Sequence, residues 1–117
     1  MIRFCIAVVA CAFVVSATAQ PNQSAVIAGP GAASCGLYIE GRALPSAGSR
    51  GSINDMTVLW IQGFLSGMNT YRSVSKHGEM VLLPDAPSLL AYMDKYCREN
   101  PLKSVVQGAS AMYAELL

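Results

Sequence analysis

Residues 85–116 read DAPSLLAYMDKYCRENPLKSVVQGASAMYAEL, two helical patterns separated by an Asn-Pro pair. Asp85 is a favoured N-cap for the first helix, and Pro87 falls in its first turn, where proline is tolerated. Asn100 and Pro101 predict the end of this helix and the start of the next, with asparagine as N-cap and proline as first helical residue. Two helices joined in this way form an angled pair. The sequence therefore predicts an all-α fold, a small helical bundle of three to four helices with one disulfide.

Apolar residues recur every three or four positions in both helices, as expected for helices that bury one face. In the first helix the predicted inner face contains Leu89, Leu90, Met93, Tyr96 and Cys97, and the predicted solvent face contains Asp94, Lys95, Arg98 and Glu99. In the last helix the predicted inner face contains Leu102, Val105, Val106, Ala109, Met112, Tyr113 and Leu116. These patterns predict which sides of the two helices lie in the core.

A longer central helix is predicted upstream, beginning at Ser52, where Asp55 three residues on is typical of a capping box. Its predicted buried stripe contains Ile53, Met56, Trp60, Phe64, Gly67 and Tyr71. Gly63 and Gly67 lie one turn apart, although each glycine costs about 1 kcal/mol in a helix interior. We therefore expect a neighbouring helix to cross at close range beside them. A short first helix is predicted over residues 35–42.

The N-terminus has the pattern of a signal peptide. Arg3 supplies one positive charge, residues 4–15 form an unbroken apolar run, and residues 16–19 place small side chains at a cleavage site. The run is shorter than the roughly 18 residues that a membrane-spanning helix needs. We therefore expect cleavage after Ala19 and a periplasmic or secreted protein. A lipid anchor at Cys11, in a sequence that resembles a lipobox, and an uncleaved membrane anchor are the alternatives.

The predicted mature chain is one small domain. Removal of 19 of the 117 residues leaves 98, with seven Lys or Arg and seven Asp or Glu residues and a formal net charge of zero. No charged block indicates nucleic acid or an anionic membrane as a partner. We divide the chain into a signal peptide (1–19), a flexible N-terminal tether rich in proline, glycine and small residues (20–34) and a single helical domain (35–117).

Cys35 and Cys97 are the two cysteines that remain after the predicted cleavage. An exported small domain with one pair of cysteines predicts an intramolecular disulfide, with free thiols or an intermolecular pair as the alternatives. The bond would close a long loop around the central helix and contribute about 4 kcal/mol by the chain-entropy estimate. Since no C-x-x-C motif is present, we interpret the pair as structural rather than redox-active.

Few residues suggest chemistry. His77 is the single histidine, and we expect it to be solvated in a turn, with a role as pH sensor as the alternative. Ser66 lacks the G-x-S-x-G spacing of a nucleophile, and Asp94 and Glu99 lie on a predicted solvent face. The histidine and cysteine count is too small for a metal site. We therefore predict a non-enzymatic protein with no catalytic, cofactor or metal site.

Two apolar groups are candidates for a partner surface. Val58, Ile61 and Leu65 lie on the flank of the central helix, where they either complete the core against a second helix or form an exposed patch. The second group is the predicted loop segment Met80, Val81, Leu82 and Leu83. We expect the protein to bind another protein through one of these groups, and a homodimer is a further alternative.

The order of these features resembles one group of small exported bacterial proteins, which contains the Tai-type immunity proteins and the HdeA/HdeB acid-stress chaperones. The resemblance rests on a cysteine that opens the domain, the motif W-x-x-G-F-L-S-G over 60–67, the motif Y-x-x-x-Y-C-x-x-N-P over 92–101 and a closing amphipathic helix. It covers residues 35–117. It implies a periplasmic helical domain with one disulfide, which corresponds here to Cys35–Cys97.

The resemblance also implies two functions. Tai-type proteins neutralise peptidoglycan amidases that rival cells inject, whereas the chaperones hold unfolding proteins at low pH. We therefore expect a protein-binding module, an immunity-type inhibitor of a secreted effector enzyme. An HdeA/HdeB-like acid-stress chaperone, or an envelope protein with a partner that the residues do not indicate, is the alternative.

Overall fold

The computed structural model describes residues 27–44 and 49–117. This part of the chain forms a short 3-10 helix, Gly29–Ala32, and four α-helices, which are α1 (Cys35–Arg42), α2 (Ser49–Val74), α3 (Ala86–Glu99) and α4 (Val105–Glu115). The same residues contain no strand, although Ser34 and Ser104 form an isolated antiparallel bridge. The predicted all-α fold is confirmed. The predicted signal peptide and residues 20–26 of the predicted tether lie outside the described residues.

The Cys35–Cys97 disulfide is present and joins the first residue of α1 to the last turns of α3. The two cysteines are 62 positions apart in sequence, and their Cα atoms are 4.7 Å apart. Both are buried in the core. The bond therefore encloses all of α2, as predicted.

The start of α3 also agrees with the prediction, because Asp85 Oδ1 accepts a hydrogen bond from the Ser88 N–H at 2.8 Å. The start of α2 does not agree, since the helix begins at Ser49 rather than at Ser52.

The start of α4 differs from the prediction. Asn100 ends α3, and its Nδ2 donates to the Tyr96 carbonyl at 2.9 Å, so it satisfies a free carbonyl of α3 instead of capping the next helix. Residues 101–103 form a turn whose carbonyls accept hydrogen bonds from the first amides of α1. The helix then begins after Ser104, whose N–H donates to Gln107 Oε1 at 2.9 Å. Leu102, predicted to be buried, is 98% exposed.

The core lies where α2, α3 and α4 meet, with α1 covering one side. Its buried hydrophobic members are Cys35, Tyr38, Ile61, Leu65, Leu89, Met93, Cys97, Val105, Ala109, Met112 and Tyr113. The predicted inner faces of α3 and α4 supply most of this set. The predicted members Leu90, Tyr96, Val106 and Leu116 are half-buried.

The buried face of α2 is rotated from the predicted stripe. Among residues 55–74 of this helix, the buried ones are Thr57, Ile61, Leu65 and Asn69, at steps of four. Met56 and Tyr71, predicted to be buried, are 54% and 66% exposed, and the side chain of Ile53 lies outside the described residues. Trp60 and Phe64 are half-buried and stack on each other with ring centroids 5.3 Å apart. A stripe chosen by hydrophobicity alone omits the polar residues Thr57 and Asn69. Both of them belong to the buried side of the helix.

This rotation decides between the two interpretations of the first candidate partner surface. Ile61 and Leu65 are 0% and 1% exposed, and Val58 is half-buried. Ile61 and Leu65 therefore complete the core, and the exposed-patch interpretation is wrong for them.

The predicted close crossing beside Gly63 and Gly67 is also wrong. A Cβ atom added at either glycine would meet no atom within 4 Å. The close approach occurs instead at Gly108 of α4, where an added Cβ would lie 2.7 Å from Met93 Cε and 2.8 Å from Tyr96 Cδ1. Gly108 therefore allows α4 to pack tightly on α3.

Two alanine substitutions test this assignment. Gly63→Ala is expected to raise the free energy of unfolding by up to about 1 kcal/mol, because alanine is the better helix former and the space is open. Gly108→Ala makes the same chemical change. It is expected to lower the free energy of unfolding by about 1–2 kcal/mol, because the side chains of Met93 and Tyr96 must move. Urea denaturation followed by circular dichroism measures both values. Stabilisation at both positions would contradict the close contact at Gly108.

Residues 29–34 pack on the bundle, where the sequence predicted a flexible tether. Gly31 is buried, and a Cβ atom added there would overlap the indole ring of Trp60. The Val105 N–H donates to the Ala33 carbonyl at 2.9 Å. The folded part of the chain therefore begins before Cys35, at Gly29 or earlier.

Candidate functional site

Asn69 of α2 holds the connection between α2 and α3. Its buried side chain makes two hydrogen bonds to Val81, in which Nδ2 donates to the carbonyl at 2.8 Å and Oδ1 accepts from the N–H at 3.0 Å. The Tyr113 hydroxyl of α4 donates to the same Oδ1 at 3.1 Å. One side-chain amide thus satisfies both backbone groups of Val81, as a neighbouring strand would. The connection is thereby attached to α2, and Tyr113 ties the same amide to α4.

The attachment of Val81 determines which way the neighbouring side chains face. Successive side chains of an extended chain point to opposite sides. Val81 and Leu83 are half-buried and pack against the core, whereas Met80 and Leu82 are 63% and 93% exposed. Of the four residues predicted as a partner surface, two are therefore open to solvent and two belong to core packing.

An apolar groove runs along the C-terminal half of α2, the helix that holds this connection through Asn69 and Arg72. It has a volume of about 410 Å³ and is lined by Phe64, Gly67, Met68, Tyr71, Arg72, His77 and Tyr113. Two of these residues take part in the contacts that hold the connection. The Tyr113 hydroxyl donates to Asn69, which binds Val81, and Arg72 donates to the carbonyl of Glu79, which precedes Met80. We use the name outer surface for this groove together with Met80 and Leu82.

The turn after α2 places Arg72 at the groove. The Arg72 Nε donates to the Glu79 carbonyl at 3.0 Å. Gly78 has a φ of 140°, which L side chains rarely adopt, and a Cβ atom there would overlap the Arg72 guanidinium. The backbone conformation therefore favours glycine at this position, and the absence of a side chain leaves room for the Arg72 guanidinium.

A second polar cluster lies between α1 and α3 and is centred on Asp94. This side chain, predicted to face solvent, is only 18% exposed. It accepts hydrogen bonds from the Tyr38 hydroxyl at 3.0 Å and from Arg42 Nε and Nη2 at 3.0 and 3.1 Å, and Arg98 Nη2 lies 3.7 Å away. The disulfide is the cause, because it brings α1 against the side of α3 that carries Asp94.

The spacing of Tyr38 and Asp94 from the two cysteines could have indicated this cluster from the sequence. Tyr38 lies one turn from Cys35, and Asp94 lies one turn from Cys97, so a bond between the cysteines brings the two side chains together. Arg42 follows Tyr38 by one further turn. A disulfide between two helices thus predicts which flanking polar residues pair.

The surroundings of Asp94 change its ionisation. Burial raises the pKa of this carboxyl. Hydrogen bonds from Arg42 and Tyr38 and the positive charges of Arg42 and Arg98 lower it by more than burial raises it, so the pKa lies below its ordinary value. For Tyr38, burial and then the neighbouring Asp94 charge raise the pKa of the hydroxyl above its ordinary value. The cluster therefore holds Asp94 charged and Tyr38 protonated at neutral pH.

Acid is expected to remove the contribution of Asp94 to stability. A carboxyl whose pKa is lower in the folded chain than in the unfolded chain stabilises the fold at any pH above the unfolded-state pKa. This stabilising contribution is lost as the pH falls from about 4 downwards. Asp94→Asn should therefore lower the free energy of unfolding at pH 7 by about 1–2 kcal/mol and reduce its fall in acid. Urea denaturation at neutral and acidic pH measures both effects. Glu99→Gln removes an exposed carboxylate from the same helix as a control, and the same pH dependence in both variants would contradict the role of Asp94.

The other residues considered for chemistry do not form a catalytic arrangement in the part of the chain described. The Ser66 hydroxyl donates to the Gln62 carbonyl one turn earlier in α2, at 2.7 Å. His77 is exposed, lines the groove and has its ring centroid 6.1 Å from that of Tyr71. Within residues 27–44 and 49–117, no three His, Cys, Asp or Glu residues are grouped as metal ligands would be. No helix in these two ranges has the length and apolar character needed to cross a membrane.

Comparison with known proteins does not assign the chain to a family. No protein-family model matches it, and neither a curated protein nor a solved structure matches it. These comparisons neither support nor oppose the resemblance to the Tai-type and HdeA/HdeB group. The geometry of the outer surface and of the Asp94 cluster is therefore the basis for a proposal about its function.

Proposed function

We propose that this chain is an exported, non-enzymatic protein-binding module that acts as an immunity-type inhibitor of a secreted effector enzyme. The observation that carries the proposal is the outward placement of Met80 and Leu82 on a connection held by Asn69 and Arg72 of α2, the helix along which the apolar groove runs. Exposed apolar side chains next to a concave surface are typical of protein interaction sites. The Cys35–Cys97 disulfide is compatible with export to an oxidising compartment.

The outer surface is already in a conformation that a partner can bind. Asn69 fixes Val81, so Met80 and Leu82 do not have to be ordered when a complex forms, and the entropic cost of binding is lower. The groove contributes Tyr71, Arg72 and Met68, residue types that are enriched at protein interfaces. Both features support a stoichiometric binder.

The proposal predicts that a secreted hydrolase is encoded next to this gene, and the test is complex formation between the two proteins. We expect a 1:1 or 2:2 complex by size-exclusion chromatography with light scattering, together with loss of hydrolase activity. The double substitution Met80→Ser and Leu82→Ser should weaken binding about tenfold or more, as expected for the loss of an interface hot spot. It should leave the free energy of unfolding nearly unchanged, because both side chains are exposed.

Leu102→Ser is the matched control, because Leu102 is another almost fully exposed leucine in a different turn. It should leave the affinity unchanged. Failure of the two proteins to associate, or equal loss of affinity with Leu102→Ser, would contradict the proposal.

The Asp94 cluster favours a second candidate, an acid-stress chaperone. Protonation of Asp94 would remove its ion pairs with Arg42 and Arg98 and so weaken the contact between α1 and α3, while the disulfide still holds the two helices together. The predicted mature chain would also reach a charge near +8 in acid, from seven Lys or Arg residues and His77. Light scattering of a client enzyme tests this function. Suppression of aggregation at about pH 2–3 but not at pH 7 would support it, and inertness at both would exclude it.

A further inference from the structure

The groove contains a positioned guanidinium that has no carboxylate partner in the described part of the chain. The ion pairs of residues 27–44 and 49–117 are Arg42–Asp94 and Arg98–Asp94, so Arg72 takes part in neither. A guanidinium has five N–H donors, and the bond from Nε to the Glu79 carbonyl uses one. The remaining donors of Arg72 are left for a ligand.

The position of this guanidinium is restricted before any ligand binds. Its Nε is held by the Glu79 carbonyl, and its outer atoms lie against Gly78, where even a methyl group would not fit. A restricted arginine loses less side-chain entropy when it forms an ion pair. Arg72 is therefore better prepared to bind an anion than a freely moving surface arginine.

The rest of the groove is apolar or basic. Its apolar walls are supplied by Phe64, Met68, Tyr71 and Tyr113, and His77 lines it as well. Among the residues that the structure describes, no acidic side chain lines the groove. Glu79, the acidic residue nearest in sequence, contacts Arg72 through its backbone carbonyl and forms no ion pair with it. The groove thus offers an apolar wall beside an unpaired positive charge.

We infer that the groove binds a segment of the partner protein that presents an apolar side chain next to a carboxylate. The apolar side chain would lie against Phe64 and Met68, and the carboxylate would accept charge-assisted hydrogen bonds from Arg72. This inference rests on the proposed function and names the partner chemistry of the same outer surface.

A protein segment fits the site better than a small carboxylate does. Sites for small molecules enclose most of the ligand surface, about 70–90%, whereas this groove lies open along α2. Met80 directly follows Glu79, whose carbonyl binds Arg72, so a chain segment whose carboxylate binds Arg72 can reach the exposed side chains of Met80 and Leu82.

Selection from a phage-displayed random peptide library against the disulfide-bonded chain tests the inference. We expect the enriched peptides to share an apolar residue next to Asp or Glu. Fluorescence anisotropy of a labelled enriched peptide should show about tenfold or greater loss of affinity with Arg72→Gln, from the lost bonds to a charged group. Arg72→Lys should retain part of the affinity. Lys103→Gln removes the same charge from an exposed residue in another turn and should have no effect.

Replacement of the acidic residue of the peptide by its amide should reproduce the loss seen with Arg72→Gln. The inference is overturned if no peptide is enriched, if the enriched peptides lack an acid, or if Arg72→Gln binds them as tightly as the wild type. Binding of octanoate as tight as that of the peptide would overturn the choice of a protein segment and assign the groove to acyl carboxylates.

The outcomes separate this inference from the proposed function. An effector complex that is weakened by the Met80 and Leu82 substitutions but not by Arg72→Gln would overturn the inference alone. An acidic peptide that depends on Arg72, in the absence of any effector complex, would overturn the immunity function alone.

Discussion

Reduction of the Cys35–Cys97 disulfide is expected to lower the free energy of unfolding by about 4 kcal/mol. The bond closes a loop across 62 positions, and the chain-entropy estimate for such a loop has this magnitude. The total stability of a small domain is about 5–15 kcal/mol, so the loss removes a large part of it. Urea denaturation with and without a reducing agent measures the difference.

The double substitution Cys35→Ala and Cys97→Ala provides the control for this measurement. It should reproduce the loss of stability, and the reducing agent should then have no further effect on it. Hydrogen exchange should increase most in α1, because the bond and the Asp94 cluster hold this short helix against α3. A loss of less than about 1 kcal/mol on reduction would contradict the role assigned to the bond.

Substitution of Asn69 by alanine is expected to lower the free energy of unfolding by about 2–3 kcal/mol. The change leaves the Val81 N–H, the Val81 carbonyl and the Tyr113 hydroxyl without their partner, and each unsatisfied buried group is costly. Urea denaturation measures the stability, and NMR signals of the Met80 and Leu82 methyl groups report on the outer surface. Because Asn69 positions this surface, partner binding should also weaken although Asn69 itself is buried.

Tyr113→Phe is the matched control for Asn69→Ala. It removes one of the three hydrogen bonds and should cost about 1 kcal/mol. In the Asn69→Ala background it should cost less, because the hydroxyl has already lost its partner. Equal effects of the two single substitutions, with unchanged Met80 and Leu82 signals, would contradict the role of Asn69.

Much of the fold could be predicted from short patterns along the chain. The Asp85 N-cap, the apolar face of α3 and the position of α1 depend on residues a few positions apart, and all three agree with the structure. The disulfide was predictable for a different reason, since one pair of cysteines in a domain that is predicted to be exported leaves few choices.

The buried side of α2 could not be predicted in the same way. Stripes through Trp60 and through Ile61 both recur at helical steps, and they lie side by side on the helix. Packing against α3 and α4 selects the second. It also buries Asn69, because the amide finds its partners at Val81 and Tyr113, 12 and 44 positions away. A polar residue is tolerated in a core only when such partners are present, and hydrophobic periodicity contains no information about them.

The candidate site could likewise be predicted only in part. The apolar run over 80–83 predicted a candidate partner segment, but it did not show that Met80 and Leu82 face outward or that Arg72 binds the carbonyl of the preceding residue, Glu79. These features depend on contacts of Asn69, Gly78 and Glu79 that form only after the chain has folded. Helix positions and the cysteine pair follow from local backbone preferences and composition, so they can be recognised in the chain itself. The face that each helix buries and the surface that remains depend on hydrogen bonds and packing between distant segments, which only the tertiary structure brings together.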